Sequence, residues 1–197
     1  METVKIGKQE WTVKNFDVDV FRNGQLIQEI QNPVEWQNAT IPAWCYYENK
    51  SENAVLRGRL YNGYAILDKQ NLAPDGFHIP TIEEFNELIE YIGGEDFGYK
   101  LKTKEKGTWK SCKGIKKGSD EFGFNAYPTG LRVCTWGPGP FVNFNEYTRF
   151  WSATLLNEDT LLGAQLGYGD DRFLTSGRIF SECKFNSGFS VRLIKNQ

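Results

Sequence analysis

The sequence predicts an α+β fold with one main helix and many short, mostly antiparallel strands joined by long loops. One segment, residues 82–92, has helical periodicity, because its apolar residues recur at intervals of three and four: Phe85, Leu88, Ile89 and Ile92. The rest is rich in aromatic residues (15%) and glycine (20 residues), which is typical of short strands and turns. The 197 residues contain no internal repeat and no linker, so we expect a single domain over residues 1–197.

The first predicted element is a β-hairpin. VKIGKQEWTVKNF, residues 4–16, alternates apolar and polar residues around a turn at Gly7-Lys8. This alternation points one set of side chains towards the core: Val4, Ile6, Trp11 and Val13.

Turn and cap signals organise the segment before the main helix. Asn23-Gly24 predicts a hairpin, because both residues tolerate a positive φ. Asn32-Pro33 predicts a short helix, with asparagine as the N-cap and proline at the first helical position. The aromatic runs at residues 43–49 and 58–68 are typical of strands, and a polar segment separates them.

The main helix has both a start signal and a stop signal. Thr81 can cap its first turn, and Glu84, three residues later, completes a capping box. Gly93-Gly94 is expected to end the helix.

Beyond the helix, the sequence predicts loops and short strands. Residues 100–117 are lysine-rich; we expect a solvated, mobile loop, with a site for a sulfated glycan or a nucleic-acid backbone as the alternative. An aromatic loop follows at residues 135–148. Several short strands joined by glycine turns complete the chain, and FSVRLI, residues 189–194, is expected to be the final strand.

Charge and composition argue against several classes of function. Lys+Arg number 23 and Asp+Glu 25, and the net charge of −2 gives no global field for nucleic acid or an anionic membrane. No apolar run approaches the ~18 residues of a membrane span and no targeting segment is visible, so we expect no membrane insertion. The cysteines include no CxxC pair, and they allow three disulfide pairings or four free thiols: Cys45, Cys112, Cys134 and Cys183.

His78 and the acidic loops are the candidates for catalytic or metal chemistry. His78 is the only histidine and could be a general base or a metal ligand, but we favour a half-buried residue on the approach to the helix. Motifs for a serine nucleophile and for phosphate-binding loops are absent. One set of loop residues could supply oxygens to calcium, although no EF-hand pattern exists and solvated turns are favoured: Asn143, Asn145, Glu146, Asn157, Glu158, Asp159, Asp170 and Asp171.

The order of seven segments resembles the Fibrobacter succinogenes major paralogous domain family over nearly the whole chain. The segments are IGKQEWTVKNF, GRLYNGYAI, LAPDGFHIPTIEEFNELIEYIGG, GYKLK, FGFNAYPTG, FWSAT and GFSVRLI. Against the family pattern, Gly63 stands where tryptophan is usual, Tyr127 where leucine is usual, and Leu193 where cysteine is usual. If that cysteine pairs in the family, the resemblance implies that Cys45 is the candidate left unpaired.

The family is related to the C-type-lectin-like fold, and residues 78–86 are similar to a segment of the formylglycine-generating, sulfatase-modifying enzymes. Pro80, Thr81 and Glu84 match that segment, whereas His78 stands where the enzymes have arginine. The closely spaced cysteine pair of those enzymes and the motifs of calcium-dependent lectins have no counterpart here. The resemblance therefore implies the fold, but neither the enzyme activity nor calcium-dependent sugar binding.

By resemblance, the fold presents variable loops between residues 131 and 182, and we expect the ligand there. Aromatic side chains would supply contact area and polar groups would supply orientation. The predicted ligand-binding residues are Trp136, Asn145, Tyr147, Tyr168, Asp170, Asp171 and Arg172. The alternative for the aromatic loop is that its rings cover a small β core: Trp136, Phe141, Phe144 and Tyr147.

The function predicted from these observations is a non-enzymatic binding module that recognises a cell-surface glycan or protein, in adhesion or receptor binding. No cofactor is expected beyond, at most, a calcium ion, and no nucleic-acid partner is expected. The resemblance implies an extracellular or cell-surface location. Two alternatives stay open: a metal-dependent enzyme with His78 as its base, and a structural subunit of a surface or phage assembly.

Overall fold

The architecture is a mixture of short helices and short strands, seen in a computed structural model that describes residues 1–134, 137–176 and 183–197. The α-helices are α1 (Pro33–Asn38), α2 (Ala54–Arg57), α3 (Gly63–Leu67) and α4 (Ile82–Tyr91), and 3-10 helices span Tyr47–Asn49, Ser51–Asn53 and Glu95–Lys100. The strands are β1 (Thr3–Ile6), β2 (Gln9–Thr12), β3 (Gln28–Glu29), β4 (Ala43–Cys45), β5 (Leu60–Tyr61), β6 (Phe77–His78), β7 (Leu131–Arg132), β8 (Phe141–Val142), β9 (Tyr147–Asn157), β10 (Thr160–Gly167), β11 (Phe173–Thr175), β12 (Cys183–Lys184) and β13 (Ile194–Lys195). The predicted α+β class, with α4 as the longest helix described, is confirmed.

The described strands form small sheets. One sheet has the order β1-β2-β13-β6, and in a second sheet β10 pairs with β9, β11 and β12. A third has the order β3-β4-β5, and β7 pairs with β8. Among these described pairs, β3–β4 is parallel and the others are antiparallel. The prediction of mostly antiparallel strands is therefore confirmed.

The predicted opening hairpin is present. β1 and β2 pair antiparallel with Val4 opposite Trp11, and Gly7 takes a φ of +62° in the turn. Ile6 and Trp11 are buried, so the alternation of apolar residues places them in the core as expected.

Both predicted helix starts are also present. At α1, the Asn32 side chain accepts hydrogen bonds from the Val34 and Glu35 amides at 2.9 and 3.1 Å. At α4, Thr81 Oγ1 accepts from the Glu84 amide at 3.3 Å, and Glu84 Oε2 accepts from the Thr81 amide at 2.8 Å. Each bond satisfies an amide that the helix itself leaves unpaired.

Three strand predictions are wrong in part. In residues 43–49 only Ala43–Cys45 is a strand, and Tyr47–Asn49 is a 3-10 helix. In residues 58–68 only Leu60–Tyr61 is a strand, because the Asn62 side chain accepts from the Ala65 amide at 3.1 Å and starts α3. In residues 189–194 the strand is confined to the last residue, because the preceding residues form single bridges to different partners, Phe189 to Tyr61 and Ser190 to Phe150. Here tertiary contacts override the β propensity of aromatic and β-branched residues.

The Asn23-Gly24 signal produces a turn without extended strands. Gly24 has a φ of +85°, and its amide donates to the Phe21 carbonyl at 2.9 Å. A single antiparallel bridge, Val20 to Leu26, follows in place of a ladder.

The core holds two buried guanidinium groups among its aromatic side chains. Arg132 donates to the carbonyls of Gly139, Ile30 and Gln31 at 3.1, 2.8 and 2.9 Å. Arg192 is equally buried and donates to three carbonyls and one side-chain oxygen: Thr12, Phe124, Asn125 and Asn15 Oδ1. Burial lowers the pKa of the Arg192 guanidinium. Around each guanidinium group, carbonyl dipoles take the place of hydrating water. The hydrogen bonds to these carbonyls hold loops that are distant in sequence to the core.

Candidate functional site

The lysine-rich chain forms a loop that is closed at its base. We call residues 102–118 the lysine segment. The Thr103 amide donates to the Ala126 carbonyl at 2.9 Å on one side of the base, and just beyond the other side the Ser119 amide donates to the Tyr99 carbonyl at 3.0 Å. Gly118 fits between them because a side chain there would meet the Thr103 carbonyl, and would come within 2.7 Å of the Lys102 carbonyl.

This loop encloses a cavity of about 250 Å³. Almost all of its lining comes from the lysine segment, with one aromatic ring from the loop after β10: Lys102, Thr103, Lys104, Glu105, Lys106, Gly107, Trp109, Lys110, Ser111, Cys112, Ile115, Lys116, Lys117, Gly118 and Tyr168. Most lysines of this lining are exposed, whereas Trp109 and Tyr168 are half-buried.

Most of the lysine segment is exposed, as expected for a solvated loop, but Lys102 is an exception. It is 2% exposed, and its Nζ donates to the carbonyls of Gly167 and, at 2.8 Å, Asp170. Burial lowers the pKa of this ammonium from its usual range to about 8, although the nearby Asp170 and Asp171 oppose that shift. The segment is therefore anchored to the molecule by a buried cation.

Lys110 connects the lysine segment to the turn at residues 143–147. Its amide donates to the Asn145 carbonyl at 2.8 Å, and its Nζ lies 2.5 Å from Glu146 Oε1. The bond to Glu146 raises the pKa of Lys110. The same ammonium lies 4.8 Å from the centre of the Tyr168 ring, a distance at which the cation is attracted to the ring face.

The loop between β10 and β11, residues 168–172, forms the third part of the site. Asp170 accepts from the Arg172 amide at 2.9 Å and lies 3.2 Å from its guanidinium. Asp171 Oδ1 accepts from the Lys116 amide at 2.9 Å, and the Asp171 carbonyl accepts from the Tyr99 amide at 3.2 Å. These bonds hold the β10–β11 loop against the lysine segment.

The predicted aromatic residues divide into two roles. Tyr147 packs over Gly167 and meets the Tyr168 ring edge to face, with the ring centres 6.0 Å apart. It therefore supports Tyr168, which lines the cavity. Phe141 and Phe144 instead pack against Tyr47, with ring centres 5.3 and 4.7 Å away. The alternative of covering a small core therefore describes these two phenylalanines.

The relationship of the chain is decided by its match over residues 4–195 to the Fibrobacter succinogenes major domain family. The chain belongs to this family. Comparisons with curated proteins and with solved structures find no match.

In this Fibrobacter succinogenes major domain, one of the predicted ligand-binding residues lines the cavity, and five others lie in the neighbouring turn and loop. Tyr168 is the residue that lines it, and the other five contact the lysine segment or Tyr168, or support those that do: Asn145, Tyr147, Asp170, Asp171 and Arg172. Trp136 lies outside the described residues. The sequence favours a ligand between residues 131 and 182 and gives the lysine run only as an alternative site, whereas all of the cavity lining except Tyr168 comes from the lysine segment. The available signal was Trp109 within the lysine run, since a tryptophan there needs a surface to pack on.

His78 takes part in the helix start of the domain. Its Nδ1 lies 2.7 Å from Asn196 Oδ1 and its Nε2 lies 2.7 Å from Glu84 Oε1, so both ring nitrogens have polar partners. Glu84 in turn uses its other oxygen to cap Thr81.

Three of the candidate calcium ligands are paired with cations. Glu146 pairs with Lys110, Asp170 with Arg172, and Asp159 with Lys184 at 2.9 Å. Within residues 1–134, 137–176 and 183–197, no group of three or more His, Cys, Asp or Glu residues is placed to hold a metal ion. In the same ranges no helix has the length and apolarity needed to cross a membrane.

Proposed function

We propose that this Fibrobacter succinogenes major domain is a non-enzymatic binding module whose ligand occupies the cavity of the lysine segment. One observation carries the proposal: the lysine segment and Tyr168 of the β10–β11 loop line one cavity, and the turn at residues 143–147 is bonded to that segment at Lys110. We call these three parts the binding face. Its partner is a surface glycan or a protein segment that inserts into the cavity.

The binding face is held in place without a ligand. Lys102, Lys110 and Asp171 tie its three parts together through backbone carbonyls and amides. A site that is ordered before binding loses little conformational entropy when the ligand arrives. Half-buried aromatic rings beside lysine and amide groups offer contact area together with orienting hydrogen bonds.

The finer expectations from the family resemblance belong to the same proposal. A C-type-lectin-like fold is supported by the short strands, the single longer helix and the long loops that form the binding face. An extracellular or cell-surface location agrees with a module that displays such a face to a surface ligand. The charge pairing of Glu146, Asp170 and Asp159 supports binding without calcium.

Alanine at Tyr168 tests the binding function. The purified chain is applied to an array of surface glycans and proteins, and affinities are measured for whichever ligands it binds. We expect Tyr168→Ala to weaken binding about tenfold or more, because aromatic residues at the centre of an interface carry much of its free energy.

The matched control is Tyr91→Ala, which removes an exposed tyrosine of α4 that does not line the cavity. Its affinity should equal that of the wild-type protein. The proposal is wrong if the wild-type chain binds neither glycans nor proteins, or if Tyr168→Ala binds as tightly as wild type.

A further inference from the structure

The cavity concentrates positive charge in a chain that is otherwise slightly acidic. Six lysines line it against one carboxylate, Glu105, whereas the whole chain has a net charge of −2. Glu105 Oε2 accepts from the Tyr127 hydroxyl at 2.6 Å, so this carboxylate is already engaged. A concave surface lined by one sign of charge focuses its field and attracts the opposite charge.

Lys102 is the buried lysine of this lining, and its Nζ lies 5.2 Å from the centre of the Trp109 ring, which also lines the cavity. The buried ammonium of Lys102 is bonded to two neutral carbonyls, those of Gly167 and Asp170, and to no carboxylate. The nearest acidic side chains are used elsewhere, since Asp170 binds Arg172 and Asp171 accepts from the Lys116 amide. Asp170 and Asp171 attract this buried ammonium without contacting it, and an anion entering the cavity would offset more of its desolvation cost.

The remaining lysines are arranged to accept more than one negative group. Lys110 is paired with Glu146, and Lys116 lies 4.3 Å from the centre of the Tyr99 ring. Lys106 and Lys117 are exposed and lie within ion-pair distance of no carboxylate in the described ranges. Lys104 is also exposed and in no ion pair within those ranges, so three ammonium groups are available to a ligand at the cavity rim.

Size and shape distinguish between classes of anionic ligand. A volume of about 250 Å³ is smaller than the ~300–1,000 Å³ of pockets for drug-sized ligands, so it suits one small ring with its substituents. The half-buried Tyr168 and Trp109 provide apolar surface for the face of such a ring. Single-stranded nucleic acid is bound differently, by successive aromatic platforms along an extended basic groove.

Building on the binding function proposed above, we propose that the cavity binds an acidic sugar residue, with its carboxylate or sulfate directed towards Lys102 and the rim lysines. Lys106 and Lys117 contact further negative groups of the same oligosaccharide. The ligand class is therefore an acidic surface polysaccharide, and a neutral glycan should bind more weakly because it offers no negative group to these lysines.

The first test compares soluble probes by titration calorimetry with the full chain. The probes are a galacturonic acid tetramer, a heparin-derived tetrasaccharide, a neutral galactose tetramer, inorganic sulfate and an oligothymidylate of matched charge. We expect at least one acidic tetrasaccharide to bind about tenfold or more tightly than the other three classes. Its log K should fall linearly with log salt concentration, because charge pairing releases counterions.

The second test removes charge at the rim. The double variant Lys106→Gln/Lys117→Gln should lose about fivefold in affinity for the acidic probe, the effect of two exposed charge pairs. The matched control, Lys8→Gln/Lys69→Gln, removes the same charge from exposed lysines that do not line the cavity, and its affinity should be unchanged.

Cys112 locates the bound probe. It is an exposed free thiol that lines the cavity, whereas Cys45 is buried. The acidic probe should slow the alkylation of Cys112 severalfold, and the Cys112→Ser variant supplies the background from other thiols.

Several outcomes would overturn the acidic-sugar inference, and the first of them would leave the proposed glycan-binding function intact. Tighter binding of the neutral tetramer, sensitive to Tyr168→Ala but not to the lysine variants, is one. Equal affinity for inorganic sulfate would mark a simple anion site, and tighter binding of oligothymidylate would mark a nucleic-acid site. Unprotected Cys112 in the presence of a bound acidic probe would place that probe elsewhere.

Discussion

Lys102 shows at the scale of one residue how a charged side chain can organise a loop. Its aliphatic stem is buried and its ammonium bonds to the carbonyls of Gly167 and Asp170. Because burial lowers its pKa to about 8, this lysine changes charge at a pH where exposed lysines, with pKa values of about 10.4, stay protonated. The charge of Lys102 therefore changes at mildly alkaline pH.

The titration of Lys102 predicts a pH dependence of binding. We expect the affinity for an acidic probe to fall as the pH rises from 7 to 9, since deprotonation removes the positive charge that faces the cavity. The Lys102→Met variant should bind more weakly at pH 7 and should show a flat profile. Calorimetry across this range, with circular dichroism to check folding, measures both; a flat profile for the wild-type protein would contradict the prediction.

The titration of Lys102 changes the free energy of unfolding in the opposite direction to the ligand affinity. The folded-state pKa of Lys102 lies below its unfolded value, so between about pH 8 and pH 10 the unfolded chain binds more protons than the folded chain. The contribution of Lys102 to the free energy of unfolding therefore rises with pH in that window, while ligand affinity falls.

No local pattern in the sequence distinguishes Lys102 from its neighbours. Lys100 and Lys104 have the same spacing and composition around them, yet Lys104 is exposed and Lys102 is buried. The difference arises from carbonyl groups more than sixty residues away, at Gly167 and Asp170. Such a long-range contact lies outside what periodicity or propensity can predict.

At the scale of elements, the start of α4 unites the capping box with His78. Glu84 accepts from the Thr81 amide through one oxygen and contacts His78 through the other. The apolar stripe of α4 then packs on the second sheet, where Phe85 contacts Phe150 and Phe173. The helix end and its packing face are therefore fixed together.

Removing the N-cap of α4 should cause a modest loss of stability. Thr81→Ala should lower the free energy of unfolding by about 1 kcal/mol, because the Glu84 amide loses its acceptor at the helix start. Urea unfolding followed by circular dichroism measures the change, and Ser51→Ala, at an exposed position, serves as the control. A midpoint unchanged by Thr81→Ala would show that the cap contributes nothing to stability.

The two kinds of helix start explain which elements could be predicted. Thr81 and Glu84 form a local pattern that is followed by four apolar residues in helical register, so α4 can be predicted from the sequence. α3 has an equally good cap in Asn62, but its five residues are too few to show a period. Its aromatic and β-branched residues then favour the strand that was wrongly expected.

At the scale of the whole molecule, Arg192 joins parts of the chain that are distant in sequence. From the C-terminal region its guanidinium reaches Thr12 and Asn15 near the N-terminus, and Phe124 and Asn125 beyond the lysine segment. The guanidinium also lies 4.6 Å from the centre of the Phe124 ring. A single planar group with several fixed donors suits this role better than an ammonium does.

Replacing Arg192 should therefore destabilise the whole fold. Arg192→Met leaves several buried acceptors unpaired, and we expect a loss of about 3 kcal/mol or more in the free energy of unfolding. Arg192→Lys keeps the charge but cannot serve all four acceptors, so its loss should be intermediate. Urea unfolding of both variants ranks them, and a midpoint equal to wild type for Arg192→Met would contradict the assigned role.

The closed base of the lysine segment makes that loop exchangeable. Thr103 and Ser119 fix the two ends of the loop to Ala126 and Tyr99, and Gly118 lets the chains pass in close contact. Within the loop Trp109 packs on the core, whereas residues 110–117 are mostly exposed, and lengthening a closed loop there costs little conformational entropy. Relatives with the same closed base can therefore carry intervening segments of other lengths and charges, and bind other ligands on the same fold.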